Sequence, residues 1–256
     1  MEKTRVTSSR IAIEKPVSIG LSSGVRALNR MRTKALSKMR SFPPSPFKEE
    51  GWMVVIKGFL TEKIFFYLLL GFAALTLFVN LGLPPLWGSE GRWAVVARTM
   101  LRSGDLFSPF IGNYYYWDKP LLSYWQILPF AYISGGVSEF TVRLPSAAWA
   151  MIMLFLTHSL AKKWFDERTA LVSVGILVTS FAFVFWGRNA QVEMTNAAMI
   201  LLCLWYFLKH KSDSKPTWVY VLGVMMALGA NMKGLVLYAV PLFCMALLSV
   251  IKRDWS

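Results

Sequence analysis

Three short runs of the chain set ionisable side chains among aromatic ones. The first is Leu86-Trp87-Gly88-Ser89-Glu90-Gly91-Arg92-Trp93. Glu90 and Arg92 open a stretch of helical character, and a carboxylate there could act as a general base or orient an acceptor. It could equally be a helix-start acid favoured by the positive end of the helix dipole, and spacing alone favours that plainer reading. The second run is Tyr114-Tyr115-Tyr116-Trp117-Asp118-Lys119-Pro120-Leu121. Its aromatics fit a membrane-interface belt, Lys119 is a point charge suited to a phosphate, and Pro120 suits the first position of a helix. The plainer reading is interfacial anchoring with an Asp118–Lys119 neighbour pair. The third run is Arg188-Asn189-Ala190-Gln191-Val192-Glu193-Met194-Thr195. Glu193 stands at the end of an apolar block, where an acid is more often functional than in a soluble helix; pairing with Arg188 is the alternative. Lys233-Gly234 reads as a tight turn, and His158 and His210 as incidental. Cys203 and Cys244 lie inside apolar blocks and read as small hydrophobes, with neither a disulfide framework nor metal-ligand spacing around them.

The elements that must hold these residues are membrane helices. Of 256 residues, 55% are hydrophobic and 16% charged, too little polar surface for a soluble domain of this size. The apolar residues are bunched in blocks of about 20, the thickness of a bilayer core. The net charge of +14 does not signal nucleic-acid binding. Residues 1–50 carry 11 basic and 4 acidic side chains, and most of the remaining excess sits in short loops between apolar blocks. We therefore read residues 1–60 as a basic, disordered cytoplasmic tail, with a start at Met53 as the alternative, and 61–256 as an all-α polytopic membrane domain. Spans are expected at about Ile64–Leu83, 143–161, 169–187, 194–208, 217–232 and 235–251. The long segment 84–140 is expected to contribute interfacial helices at Arg92–Leu101 and Leu121–Ile133. With the tail in the cytoplasm, Lys162, Lys163, Arg168, Lys209, Lys211, Lys215, Lys252 and Arg253 all fall inside, as the positive-inside rule requires. Glu90, Arg92, Asp118, Lys119, Glu193 and Lys233 then share the outer face.

In order along the chain, Ser89-Glu90-Gly91-Arg92-Trp93-Ala94, Met100-Leu101-Arg102-Ser103-Gly104-Asp105-Leu106, Tyr116 to Trp125, Val142-Arg143-Leu144-Pro145-Ser146, Arg188–Met194 and Met232-Lys233-Gly234 through Pro241 resemble the bacterial aminoarabinose transferase and protein O-mannosyltransferase superfamily. The resemblance covers about residues 64–251. It implies a GT-C membrane glycosyltransferase with a long first outer loop. The donor would be a polyprenyl-phosphate-linked sugar, the acceptor a lipid or protein, and the place the outer face of a bacterial inner membrane. By position it makes Glu90 and Glu193 the catalytic candidates and assigns Arg92, Asp118, Lys119 and Lys233 to substrate binding. A divalent metal is compatible with such a site, although no ligand set stands out. The family often carries an acidic pair where this chain has Ser89-Glu90, so the base would be Glu90 or Glu193, or activity would be lost. The span count matches an N-terminal portion of the family. A non-catalytic relative that binds lipid or serves a partner subunit is the alternative reading, whereas the broken-helix pairs and midplane charges of a transporter are not apparent.

Overall fold

In a computed structural model, residues 62–252 are described, and the expected tail lies outside them. The chain runs α1 (Glu62–Phe78), α2 (Glu90–Ser103), β1 (Phe110–Ile111), β2 (Tyr114–Tyr115), α3 (Leu122–Trp125), α4 (Leu128–Ile133), α5 (Glu139–Trp164), α6 (Glu167–Thr179), α7 (Phe181–Gly187), α8 (Val192–His210), α9 (Thr217–Lys233) and α10 (Val236–Lys252). The all-α membrane fold of the sequence reading is the fold observed, with one two-stranded hairpin added.

Local chemistry sets many of these boundaries. Ser138 and Thr141 form a capping box at the start of α5, where the Thr141 amide donates to Ser138 Oγ and the Ser138 amide to Thr141 Oγ1. Asp166 caps α6 by accepting from the Thr169 amide at 2.7 Å. At the end of α1, Asn80 takes a left-handed conformation (φ 57°), and the helix stops at Phe78 rather than Leu83. The chain then turns through Pro84-Pro85 into α2, which begins at Glu90.

One expected span is broken. The stretch 169–187 is predominantly apolar and carries no charge, but α6 and α7 meet at 66° across Ser180. Ser180 adopts an extended backbone (ψ 127°), and the Thr179 hydroxyl donates back to the Gly175 carbonyl, local competition that ends a helix in an otherwise uninterrupted apolar run. Beyond the bend, Phe183 packs into the core with Leu77, Ala150 and Met194.

Three apolar clusters organise the described residues. The first joins α1, α5, α6 and α7 through Leu70, Leu77, Leu154, Val174 and Phe183. The second gathers α2, α3 and the starts of α5 and α8 around Trp93, Met100, Tyr124 and Val142. The third joins α8, α9 and α10 through Met199, Cys203, Met226, Leu237 and Met245. Outside these clusters the helices present Tyr67, Leu75, Val172, Ile176, Tyr220, Val224 and Phe243 outward. In water such surface would drive association; in a bilayer it meets acyl chains. By length and composition, α5 and α8 can cross a membrane, and the bent α6–α7 pair adds a third crossing if it forms one span. The 17-residue helices α1, α9 and α10 are about 25 Å long, slightly short of the roughly 30 Å hydrocarbon core.

Close approach between the turn after α1 and the start of α5 depends on Gly82. A Cβ built there would lie 2.9 Å from the Phe140 Cβ and 3.3 Å from its backbone nitrogen, atoms that cannot swing aside. Gly82→Ala should therefore destabilise the bundle by about 1–3 kcal/mol, read as earlier loss of the monodisperse peak on heating in detergent. An unchanged thermal profile would mean that this helix approach is looser than described.

The two ends of the bundle differ in character. Lys163 Nζ donates to the Leu208 carbonyl at 2.7 Å, so the basic turns after α5 and α8 lie at one end. The start of α5, the start of α8 and the end of α9 meet at the other, where the functional candidates gather.

Candidate functional site

The hairpin is the element that sequence reading overlooked, and it sets the geometry of the second run. Gly112 (φ 63°) and Asn113 close a two-residue turn, the short Gly-Asn signal of a hairpin. The Phe110 carbonyl accepts from Thr99 Oγ1 of α2 at 3.0 Å, and the Tyr116 amide donates to the Pro109 carbonyl at 2.7 Å. Tyr116 is thereby held over α2. There Arg92 Nη1 donates to its phenol oxygen at 2.8 Å, and the phenol donates to Asp118 Oδ2 at 3.0 Å. Asp118 also pairs with Lys119 at 3.2 Å. The Lys119 ammonium, the Tyr116 hydroxyl and the Arg92 charge hold the Asp118 carboxyl below its ordinary value, so it is ionised wherever the protein is folded near neutral pH. Pro120 does not start a helix: α3 begins at Leu122, with Leu121 at its N-cap.

Across a cavity of about 520 Å³ stands the third run. Glu193, in the first turn of α8, does not pair with Arg188. Its Oε1 accepts from Lys233 Nζ at 2.9 Å. Lys233 is the last residue of α9, and Gly234 (φ 84°) closes the turn into α10. Arg188 instead donates to the Thr76 and Val79 carbonyls at the end of α1. The second oxygen of Glu193, Oε2, is buried without a hydrogen-bond partner, and so is the phenol oxygen of Tyr124, which also lines the cavity. Burial, with Tyr116 and Asp118 adding to it, pushes the Tyr124 phenol upward, so it stays protonated and able to donate.

Glu90, the other carboxylate that the resemblance made a catalytic candidate, stands outside this cavity. Its side chain is 0% exposed and does not line the cavity. Oε1 accepts from Arg143 Nε (2.9 Å) and the Ala190 amide (2.7 Å); Oε2 accepts from Arg143 Nη2 (2.7 Å) and the Trp87 amide (3.2 Å). Burial alone would raise its pKa, but the Arg143 fork and the two amides outweigh that and hold the carboxyl below its ordinary value. Arg143 spends its remaining N–H groups on the carbonyls of Leu81, Pro84 and Pro85. One ion pair thus ties the turn after α1, the start of α2, α5 and the loop before α8. In the sequence Arg143 belongs to the Val142–Ser146 run of the resemblance and stands at the edge of an apolar block, a position that calls for a buried partner. It is Ser89, one residue earlier, that faces the cavity.

The structure therefore brings Arg92, Asp118, Lys119, Glu193 and Lys233 together and separates Glu90 from them. The three cations and two carboxylates leave the cavity walls with a net positive charge, suited to an anion. Among the described residues, no three His, Cys, Asp or Glu side chains gather as metal ligands.

The cavity can be compared with known proteins. A sequence profile described as dolichyl-phosphate-mannose-protein mannosyltransferase matches residues 118–256. An undecaprenyl phosphate-alpha-4-amino-4-deoxy-L-arabinose arabinosyl transferase of Pseudomonas savastanoi pv. phaseolicola is 30% identical over 68% of this chain and 33% of its own length. An uncharacterised protein of Aquifex aeolicus is 29% identical over 64% of this chain and 33% of its own. The crystal structure of ArnT from Cupriavidus metallidurans bound to undecaprenyl phosphate superposes with a TM-score of 0.66 at 25% identity, covering 74% of this chain and 36% of that one. The apo form of the same protein gives 0.65. The chain spans about a third of the length of these relatives. With more than half of its residues matched by the profile, and with the fold and the order of its motifs in agreement, the chain belongs to the dolichyl-phosphate-mannose-protein mannosyltransferase family of GT-C membrane glycosyltransferases, alongside the aminoarabinose transferases.

Proposed function

We propose that this chain forms the donor-binding part of a glycosyltransferase that takes a sugar from a polyprenyl-phosphate carrier and passes it to a lipid or protein acceptor. The work would be done on the outer face of a bacterial inner membrane, with six spans and the basic tail inside. The single observation that supports this reading best is the cavity at one end of the bundle, where Arg92 and Lys119 face Glu193 and Lys233.

A polyprenyl carrier is too apolar to leave the bilayer, so its phosphate must be met at the interface. In this reading Arg92 and Lys119 receive that phosphate and stabilise the charge it gains as it leaves. Asp118 and Tyr116 position those two cations. Glu193 Oε2 takes the proton of the acceptor hydroxyl, whose oxygen attacks the anomeric carbon. The bond from that carbon to the phosphate oxygen breaks, its electrons stay with the polyprenyl phosphate, and the sugar is inverted. Lys233 fixes the Glu193 carboxylate toward the cavity.

A second reading has its own support. Ser89 presents a hydroxyl to the cavity where the family resemblance implies the first acid of a pair, which suits a non-catalytic relative that holds the lipid for a partner subunit. One experiment separates the two. Binding of polyprenyl phosphate should be followed by native mass spectrometry, and sugar transfer measured in proteoliposomes. Loss of a charge-assisted phosphate contact in Lys119→Ala should weaken binding about ten- to a hundredfold. Tight binding by wild type with no transfer would favour the accessory role; binding that ignores Lys119 would sink both readings.

A further inference from the structure

A second cavity, of about 360 Å³, opens beside another face of α2 and shares no residue with the first. Its charged walls are Arg98 and Arg102, one helical turn apart, and no carboxylate lines it. Opposite them lie Gly135, Gly136 and Val137, in the loop between α4 and α5. Arg98 Nη2 donates to the Val137 carbonyl at 3.2 Å, which pins that guanidinium against the loop. Arg102, among the described residues, has no hydrogen-bond or ion-pair partner. Both glycines are open on the side where a Cβ would stand, with no atom within 4 Å.

Both guanidiniums are solvent-exposed, so their mutual repulsion is weak, but with no carboxylate in the wall they leave a place between them that an anion can fill. The pairing is specific in type as well as in charge, because planar guanidinium forks suit the oxygens of a phosphate. The surroundings suggest where that phosphate comes from. Tyr132 and Ile133, at the end of α4 and just before the two glycines, are 78% and 82% exposed. An apolar pair so exposed in water would be a liability; at a bilayer surface it inserts among acyl chains and leaves the neighbouring arginines at headgroup depth.

The geometry points to a lipid-headgroup site formed by Arg98 and Arg102 against the Gly135–Val137 loop, taking the phosphate of an anionic phospholipid. It is separate from the donor cavity and does not depend on sugar transfer. Its occupant would pin α2 to the loop before α5, and so steady the helix that also carries Arg92.

The test uses the full chain in detergent with Lys119→Ala in the background, so that the first cavity contributes little phosphate binding. Short-chain phosphatidylglycerol, phosphatidylcholine of the same chain length and inorganic phosphate are titrated separately by native mass spectrometry. Phosphatidylglycerol should bind most tightly, and Arg98→Gln with Arg102→Gln should weaken it about tenfold or more. Arg98→Lys with Arg102→Lys keeps the charge and should retain part of the affinity, which controls for misfolding of the glutamine variant. Equal affinity in wild type and both double variants overturns the site. Phosphatidylcholine binding as tightly, or inorganic phosphate displacing the lipid at comparable concentration, overturns its assignment to an anionic headgroup.

Discussion

Glu90→Ala should cost about 3–5 kcal/mol of stability, a loss typical of removing one partner from a buried ion pair. The loss is large because the side chain is not merely paired. Its carboxylate accepts four hydrogen bonds, two from Arg143 and one each from the Ala190 and Trp87 amides, and all four donors would lose their acceptor. Arg143, 3% exposed, would keep its charge without compensation. Thermal inactivation in detergent, read by size-exclusion chromatography, measures the effect. Removing both charges with Glu90→Leu and Arg143→Met should recover only part of the loss, because the Leu81, Pro84 and Pro85 carbonyls would lose their donor and the Ala190 and Trp87 amides would still lack their acceptor. A pH series gives an independent check. The folded carboxyl lies below its ordinary value of 4.5, so its contribution is complete above that pH and disappears as the pH falls through the lower, folded value. Wild type should therefore lose an acid-dependent increment of stability below about pH 4.5 that Glu90→Gln lacks. Near-wild-type stability of Glu90→Ala, with transfer abolished, would instead return Glu90 to the chemistry.

The second large effect is expected at Glu193. If its free Oε2 takes the acceptor proton, Glu193→Gln keeps the shape and the Lys233 contact but removes the base, and transfer should fall about 10²–10⁴-fold. Binding of polyprenyl phosphate should change little, because Arg92 and Lys119 are untouched. The same variant distinguishes the two carboxylates: a loss confined to transfer marks Glu193 as the base, whereas a loss of folded protein marks a structural acid like Glu90. Full transfer activity in Glu193→Gln, in a wild type shown to transfer, would remove it from the mechanism.

Much of the fold was legible in the residues. The long apolar blocks, the Pro84-Pro85 break and the basic turns at 162–168 and 209–215 gave helices and a sense of their two ends, because hydrophobic length and charge placement are local properties of the chain. The bend at Ser180 was not legible: Phe181–Gly187 is as apolar as what precedes it, and only a backbone turn with Phe183 packing against Leu77 and Ala150 separates the two helices. The hairpin at 110–115 was marked by Gly112-Asn113, but it is too short to stand out beside the aromatic run.

For the candidate site, residue types and order in the sequence pointed to Arg92, Asp118, Lys119, Glu193 and Lys233, and to the family that carries such a set. Their partners were a matter of tertiary structure. Glu193 has Arg188 five residues away in the chain and Lys233 forty away, and it pairs with Lys233 because the end of α9 packs beside the start of α8. Glu90 and Ser89 are neighbours in sequence, yet the start of α2 turns one toward Arg143 and the other toward the cavity. An ionisable side chain can be recognised from the sequence. Whether it is free to react depends on which distant donors the fold brings to it, and for Glu90 that donor is Arg143, 53 positions further along the chain.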